Sequence, residues 1–156
     1  MSNNKASFQY KGQCLCGSIR YEVDEISEDI AHCHCTMCRK FHGSAFSTFA
    51  EARVEDFHWL QGAELLTTYI ANNGTQRQFC KKCGSSLIFI SSNCTGKFIE
   101  FSLGTLDTDI GLEPDAHIYM KHCVKWNKVN DNLPQYLEGR DGIKKSITTS
   151  PEVDRK

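Results

Sequence analysis

Short segments of alternating or β-branched and aromatic character recur along the chain, with turn-forming stretches between them. In "SIRYEV", Ile19, Tyr21 and Val23 share one side of an extended strand. "AFSTFA", "FHWL", "LLTTYI", "SLIFIS", "KFIEFSLG" and "HIYMKH" follow at intervals of about ten to fifteen residues. "NNGT", "NCTGK" and "DTDIGLEPD" separate them as turns. Regularly spaced short strands predict an all-β domain. A helical turn is expected only around "TMCRKFHG". No repeat, low-complexity block or linker divides the chain, so one domain is expected. The polar stretch from Gly139 onward is expected to fray.

Composition narrows the function classes. An apolar content of 40% and a charged content of 24% are those of an ordinary globular domain. Apolar runs such as "SSLIFIS" fall far short of the roughly 20 residues that cross a membrane. "MSNNKASFQYKG" lacks the apolar core of a secretory signal, so a cytoplasmic location is expected. The net charge of -1, with Lys and Arg scattered among Asp and Glu, argues against a nucleic-acid partner.

Cysteine changes the picture. The chain has nine, and seven fall in three clusters, with Cys94 and Cys123 alone. In a reducing compartment such clusters point to metal or redox chemistry. "CKKCG" (Cys80, Cys83, Gly84) reads as a zinc knuckle, in which the glycine lets the chain fold back and aim N–H groups at the sulfurs. In "GQCLCG", strand alternation puts Cys14 and Cys16 on one side and Leu15 on the other, toward the core. In "HCHCTMC" the same alternation puts Cys33 and Cys35 together and returns Cys38 to them around a tight turn. His32 and His34 then face the other way as hydrogen-bonded strand histidines, with ligation by His34 in place of Cys35 as the alternative.

Joining the two-cysteine half-sites gives a closed four-cysteine site, the structural type of zinc centre. Cys33, Cys35 and Cys38 then form a three-ligand site with one position free, the pattern of catalytic zinc. Another partition satisfies the same count: Cys33 and Cys35 complete the knuckle and leave Cys14, Cys16 and Cys38. An iron–sulfur cluster would use four cysteines and leave the triad unexplained.

"GQCLCGSIRYEV", "CHCTMCRKFHGSAF" and "RQFCKKCGSSL" resemble the motif blocks of the glutathione-dependent formaldehyde-activating enzyme and centromere protein V family. The closing stretch "EPDAHIYMKHCVKWNKVNDNLPQYLEG" is similar as well, through Pro114, His117, Ile118, Trp126, Asp131, Leu133, Pro134 and Tyr136. The resemblance implies a mainly β, single-domain β-tent over residues 8–139. A disordered start (1–7) and a polar tail (140–156) would flank it. It implies two zinc ions per chain: a structural one on Cys14, Cys16, Cys80 and Cys83, and a catalytic one on Cys33, Cys35 and Cys38. The implied activity is that of a carbon–sulfur lyase acting on glutathione, or a similar thiol, and formaldehyde or a related aldehyde adduct. The alternative is a non-catalytic, zinc-stabilised binding module; a third reading is a redox or zinc sensor. Arg39, Lys40 and Ser44 are expected glutathione contacts, against the simpler reading of solvated side chains on a short helix. Arg77 pairs with a carboxylate on the simpler view, and His117 and Trp126 are candidates for a pocket wall.

Overall fold

In the computed structural model, which describes residues 9–142, ten strands and one α-helix form two sheets. The smaller sheet has the order β1 (Tyr10–Gln13), β2 (Arg20–Val23), β5 (Phe57–Gln61). The larger has the order β10 (Ala116–Ile118), β3 (Ala31–Cys33), β4 (Ser47–Arg53), β9 (Phe98–Ser102), β8 (Ser86–Ile90), β7 (Gln76–Cys80), β6 (Leu66–Ile70). All pairs are antiparallel except β10 with β3. The mainly β reading holds, with 3-10 turns between strands and the helix α1 at Thr36–His42. The expected disordered start and residues 143–156 of the expected polar tail lie outside the described residues.

The core forms where the two sheets face each other. Ile19, Tyr21 and Val23 are all buried, as their alternation predicts. Tyr21 stacks on Phe57 at 4.9 Å and meets Phe101 of the larger sheet edge-on at 5.8 Å. Ala50 and Ala52 of β4 pack on this side, while Phe49 and Glu51 project from the opposite face. A Cβ on Gly12 would come within 2.3 Å of the Tyr21 ring, so only glycine lets β1 lie over that ring.

Three local expectations need correction. Leu15 does not enter the core; it is 86% exposed, because the strand ends at Gln13 and Cys14 to Cys16 lie in a turn. "HIYMKH" is strand only to Ile118: Tyr119 has φ +56°, a left-handed conformation that ends pairing and starts a 3-10 turn. β7 was not expected from its pattern, since "QRQFC" has polar residues where one buried face would need apolar ones.

Candidate metal centres and active site

Two sulfur clusters form at the places where chain turns meet strand ends. Cys14 and Cys16 lie in the turn after β1, Cys80 ends β7, and Cys83 lies in the following turn. Their four Sγ atoms lie within 4.8 Å of one another, with Cys14–Cys16 at 3.6 Å and Cys16–Cys80 at 3.9 Å. A tetrahedral ion with Zn–S bonds of about 2.3 Å sets its sulfurs about 3.8 Å apart, so the cluster fits zinc with little adjustment. Gly84 has φ +77° and returns its N–H to Cys80 O at 2.8 Å, which closes the knuckle. Ser85 Oγ accepts the Leu15 N–H at 2.8 Å, so the same turn ties the two half-sites together. Burial opposes ionisation of Cys83, but hydrogen bonds from Ser85 and the Cys16 backbone outweigh it and push the thiol down to about 5. Burial pushes Cys80 up to about 11. This cluster joins the small sheet to the large one.

The second cluster is the triad. Cys33 ends β3, Cys35 caps α1 and Cys38 lies in the helix's first turn. Their donor sulfurs lie within 4.8 Å of one another, and among the described residues no fourth Cys, His, Asp or Glu joins them. Cys35 Sγ accepts the Cys38 N–H at 3.2 Å. Hydrogen bonds from Cys33 and Cys38 push Cys35 down to about 2, helped by that N–H and by Arg77; the same contact with Cys35 pushes Cys33 upward. Three sulfurs gathered at one place are a donor set suited to a soft divalent ion.

The histidines face away from the sulfurs. His34 is buried and its Nε2 lies 2.8 Å from His117 Nδ1, while His117 Nε2 lies 2.8 Å from Asp131 Oδ2. His32 Nδ1 lies 2.7 Å from Thr48 Oγ1. The hydrogen-bonded reading of both histidines is what the structure displays. His42 packs on Phe49, with Nε2 3.3 Å from Ser86 Oγ, and stands apart from the triad cluster.

The triad opens into a cavity of about 870 Å³. One row of directly paired residues crosses its wall: Glu51 on β4, Glu100 on β9, Phe89 on β8 and Arg77 on β7. Arg77 is buried and its Nη2 donates to Cys38 Sγ at 3.4 Å. No carboxylate pairs with it, contrary to the simpler expectation. Burial pushes Glu100 up to about 7, with Glu51 and Cys38 adding to the shift. Tyr119, Lys121, His122 and Arg140 line the remaining wall. Lys121 is bonded to Glu138, and Arg140 donates to Asp115 Oδ1 at 2.6 Å.

The expected substrate contacts sit elsewhere. Arg39, Lys40 and Ser44 are not among the residues lining this cavity; Lys40 borders a neighbouring hollow and Ser44 Oγ donates to Phe46 O at 2.6 Å. Trp126 is 73% exposed and lies outside the cavity wall, while His117 is buried in the histidine chain. Glu51, Glu100, Tyr119, Lys121 and Arg140 carried no motif signal, because register and a left-handed turn bring them together.

A family model described as glutathione-dependent formaldehyde-activating enzyme matches residues 9–122. An uncharacterised lyase of Schizosaccharomyces pombe is 29% identical over 85 residues, covering 54% of this chain and 60% of that protein. The chain therefore matches less than two thirds of that relative's length. A Halomonas elongata protein, provisionally named a glutathione-dependent formaldehyde-activating enzyme, is 24% identical over 126 residues, covering 76% of this chain and 80% of its own. A crystal structure of a Rhodobacter sphaeroides protein superposes with a TM-score of 0.54 at 27% identity, covering 64% of this chain and 89% of that one. By the extent of the family match, the chain belongs to the glutathione-dependent formaldehyde-activating enzyme family.

Proposed function

We propose that this chain is a zinc-dependent, carbon–sulfur lyase-type enzyme that joins glutathione, or a similar thiol, to formaldehyde or a related aldehyde, and separates the adduct in reverse. One observation carries the reading: the triad Cys33, Cys35 and Cys38 faces a large cavity with no fourth protein ligand among the described residues, while the other four clustered cysteines group with one another. A binding module would close both centres; here His34 is committed to His117 and His42 stands apart.

In this reading Cys14, Cys16, Cys80 and Cys83 hold a structural zinc. Cys33, Cys35 and Cys38 hold a second, catalytic one. Zinc bound there would supply mild Lewis acidity and lower the pKa of an incoming thiol. In the net reaction a sulfur–carbon bond forms, the carbonyl π bond breaks, and the thiol proton ends on the new hydroxyl oxygen. Phe49 and Phe89 give the cavity apolar wall, which holds thiol and aldehyde together away from bulk water. Lys121 and Arg140 stand at the cavity wall, where each would exchange its Glu138 or Asp115 partner to meet a carboxylate of an anionic thiol. Glu100 holds a proton close to neutral pH and is placed to pass it at its carboxyl oxygen.

Native mass spectrometry of chelator-free protein, with and without glutathione, tests this. Two zinc ions per chain and one added glutathione, with formaldehyde turnover lost in Cys38→Ser, is the expected result. One zinc and no adduct would move the binding module ahead of the enzyme.

A further inference from the structure

Arg77 lies in the "RQFCKKCGSSL" block and on the cavity wall, yet its side chain is in neither sulfur cluster. It is 3% exposed. Its guanidinium carbon lies 4.9 Å from the Phe89 ring centre and 5.5 Å from that of Phe41. Nη2 donates to Cys38 Sγ, and Nε and Nη1 have no hydrogen-bond partner among the described residues. Among those residues no carboxylate lies within ion-pair distance either. A buried cation left without an anion is strongly unfavourable, and aromatic faces balance only part of its charge. The sulfur cluster is the anion that this cation faces.

We infer that Arg77 is the positioning residue that lets the second centre take an anionic fourth ligand in preference to a neutral one. The inference rests on the proposed open metal centre. Three thiolates around a divalent ion leave a net charge of about -1. A fourth thiolate makes it about -2, an addition that a neutral imidazole does not make. Arg77 donates to Cys38 at 3.4 Å, and a fourth ligand would sit about 3.8 Å from that sulfur, so cation and ligand lie within about 7 Å. At that separation and an effective dielectric of about 20, Coulomb attraction is worth a factor of tens in affinity. Two ring faces suit a planar, weakly hydrated guanidinium and not an ammonium. This makes Arg77 a selector for thiolates and other anions at the open position.

The test uses the full chain loaded with cobalt(II) in place of zinc, whose visible bands report ligand binding at an open position. Glutathione and imidazole are titrated separately into wild type, Arg77→Met and Arg77→Lys. The expected result is that Arg77→Met binds glutathione at least tenfold more weakly with imidazole affinity unchanged, and that Arg77→Lys recovers part of the loss. Equal weakening of both ligands, or no change in either, overturns the inference. If Arg77→Met fails to hold the second cobalt, the two titrations are read in Arg77→Lys: weaker glutathione binding with imidazole unchanged supports the inference, and equal change in both or in neither overturns it, as does failure of both variants to hold the metal. Wild type that binds imidazole and azide but no thiol sinks the proposed function instead. The azide-to-imidazole affinity ratio in the variants then decides Arg77 on its own: a tenfold fall in Arg77→Met supports it, and an unchanged ratio overturns it.

Discussion

His34 Nε2 and His117 Nδ1 lie 2.8 Å apart in the interior, although 83 positions separate them in sequence. An ionised Asp131 can only accept, so His117 donates to it from Nε2. The surface carboxylate thereby fixes the orientation of a histidine flanked by Cys33 and Cys35. The parallel pairing of β10 with β3 supplies the alignment, with the His34 N–H donating to Ile118 O at 3.0 Å.

His117→Ala removes a buried partner and leaves His34 unsatisfied on that side. The expected cost is about 1–3 kcal/mol. Asp131→Asn, nearer the surface, should cost about 1 kcal/mol or less, because its amide still offers a carbonyl oxygen to His117. Denaturant unfolding of both variants checks the order, which reverses if the chain of histidines is unimportant.

The two sulfur clusters should respond differently to loss of one thiol. Cys83→Ser breaks the cluster that joins the sheets, and a fall in Tm of about 10 °C or more is expected, since structural zinc contributes directly to folding. Cys38→Ser should keep the fold and lose the second metal. Thermal melts with metal analysis decide between them; identical behaviour would refute the division of roles.

Glu100 makes stability depend on pH. Its folded pKa of about 7 lies above the ordinary 4.5, so between those values the folded state binds more protons than the unfolded one. Stability contributed by the protonated carboxyl is therefore present below about pH 4.5 and is lost as pH rises toward 7. Glu100→Gln should match wild type near pH 4.5 and exceed it at pH 8 by on the order of 1–3 kcal/mol. Melts at the two pH values measure this, and an equal difference at both would point to packing instead.

Gly12 and Gly62 should not tolerate alanine. A Cβ on Gly62 meets Ser18 O at 2.0 Å with φ at +76°, and one on Gly12 meets the Tyr21 ring at 2.3 Å. Each alanine variant is expected to lose about 1–3 kcal/mol. Gly43, at φ +62° with open space around it, should lose less because only backbone strain opposes the substitution. Chemical denaturation of the three variants ranks them.

A strong chelator should empty the triad before the four-cysteine cluster, because three protein ligands hold an ion less firmly than four. Zinc release followed with a colorimetric indicator should show one fast and one slow equivalent. A single phase for both would contradict the proposed open centre.

Among the described residues no helix is long and apolar enough to cross a membrane, in line with the short apolar runs. The sequence by itself determined which cysteines cluster and most strands. Cysteine spacing is local, and Ile19, Tyr21 and Val23 carry their burial in their alternation. It also determined α1, whose cap is Cys35 and whose end is Gly43 in the left-handed conformation. Tertiary structure decided which half-sites meet, since Cys16 and Cys80 become neighbours only when β1 and β7 are brought together by the packed sheets. It decided the cavity wall as well. Glu51, Glu100, Phe89 and Arg77 lie in one row through strand register, a relation between distant segments that local patterning does not encode. Leu15 and Tyr119 went against local expectation because a turn and a left-handed residue ended their strands, and both sit where the chain bends around a site.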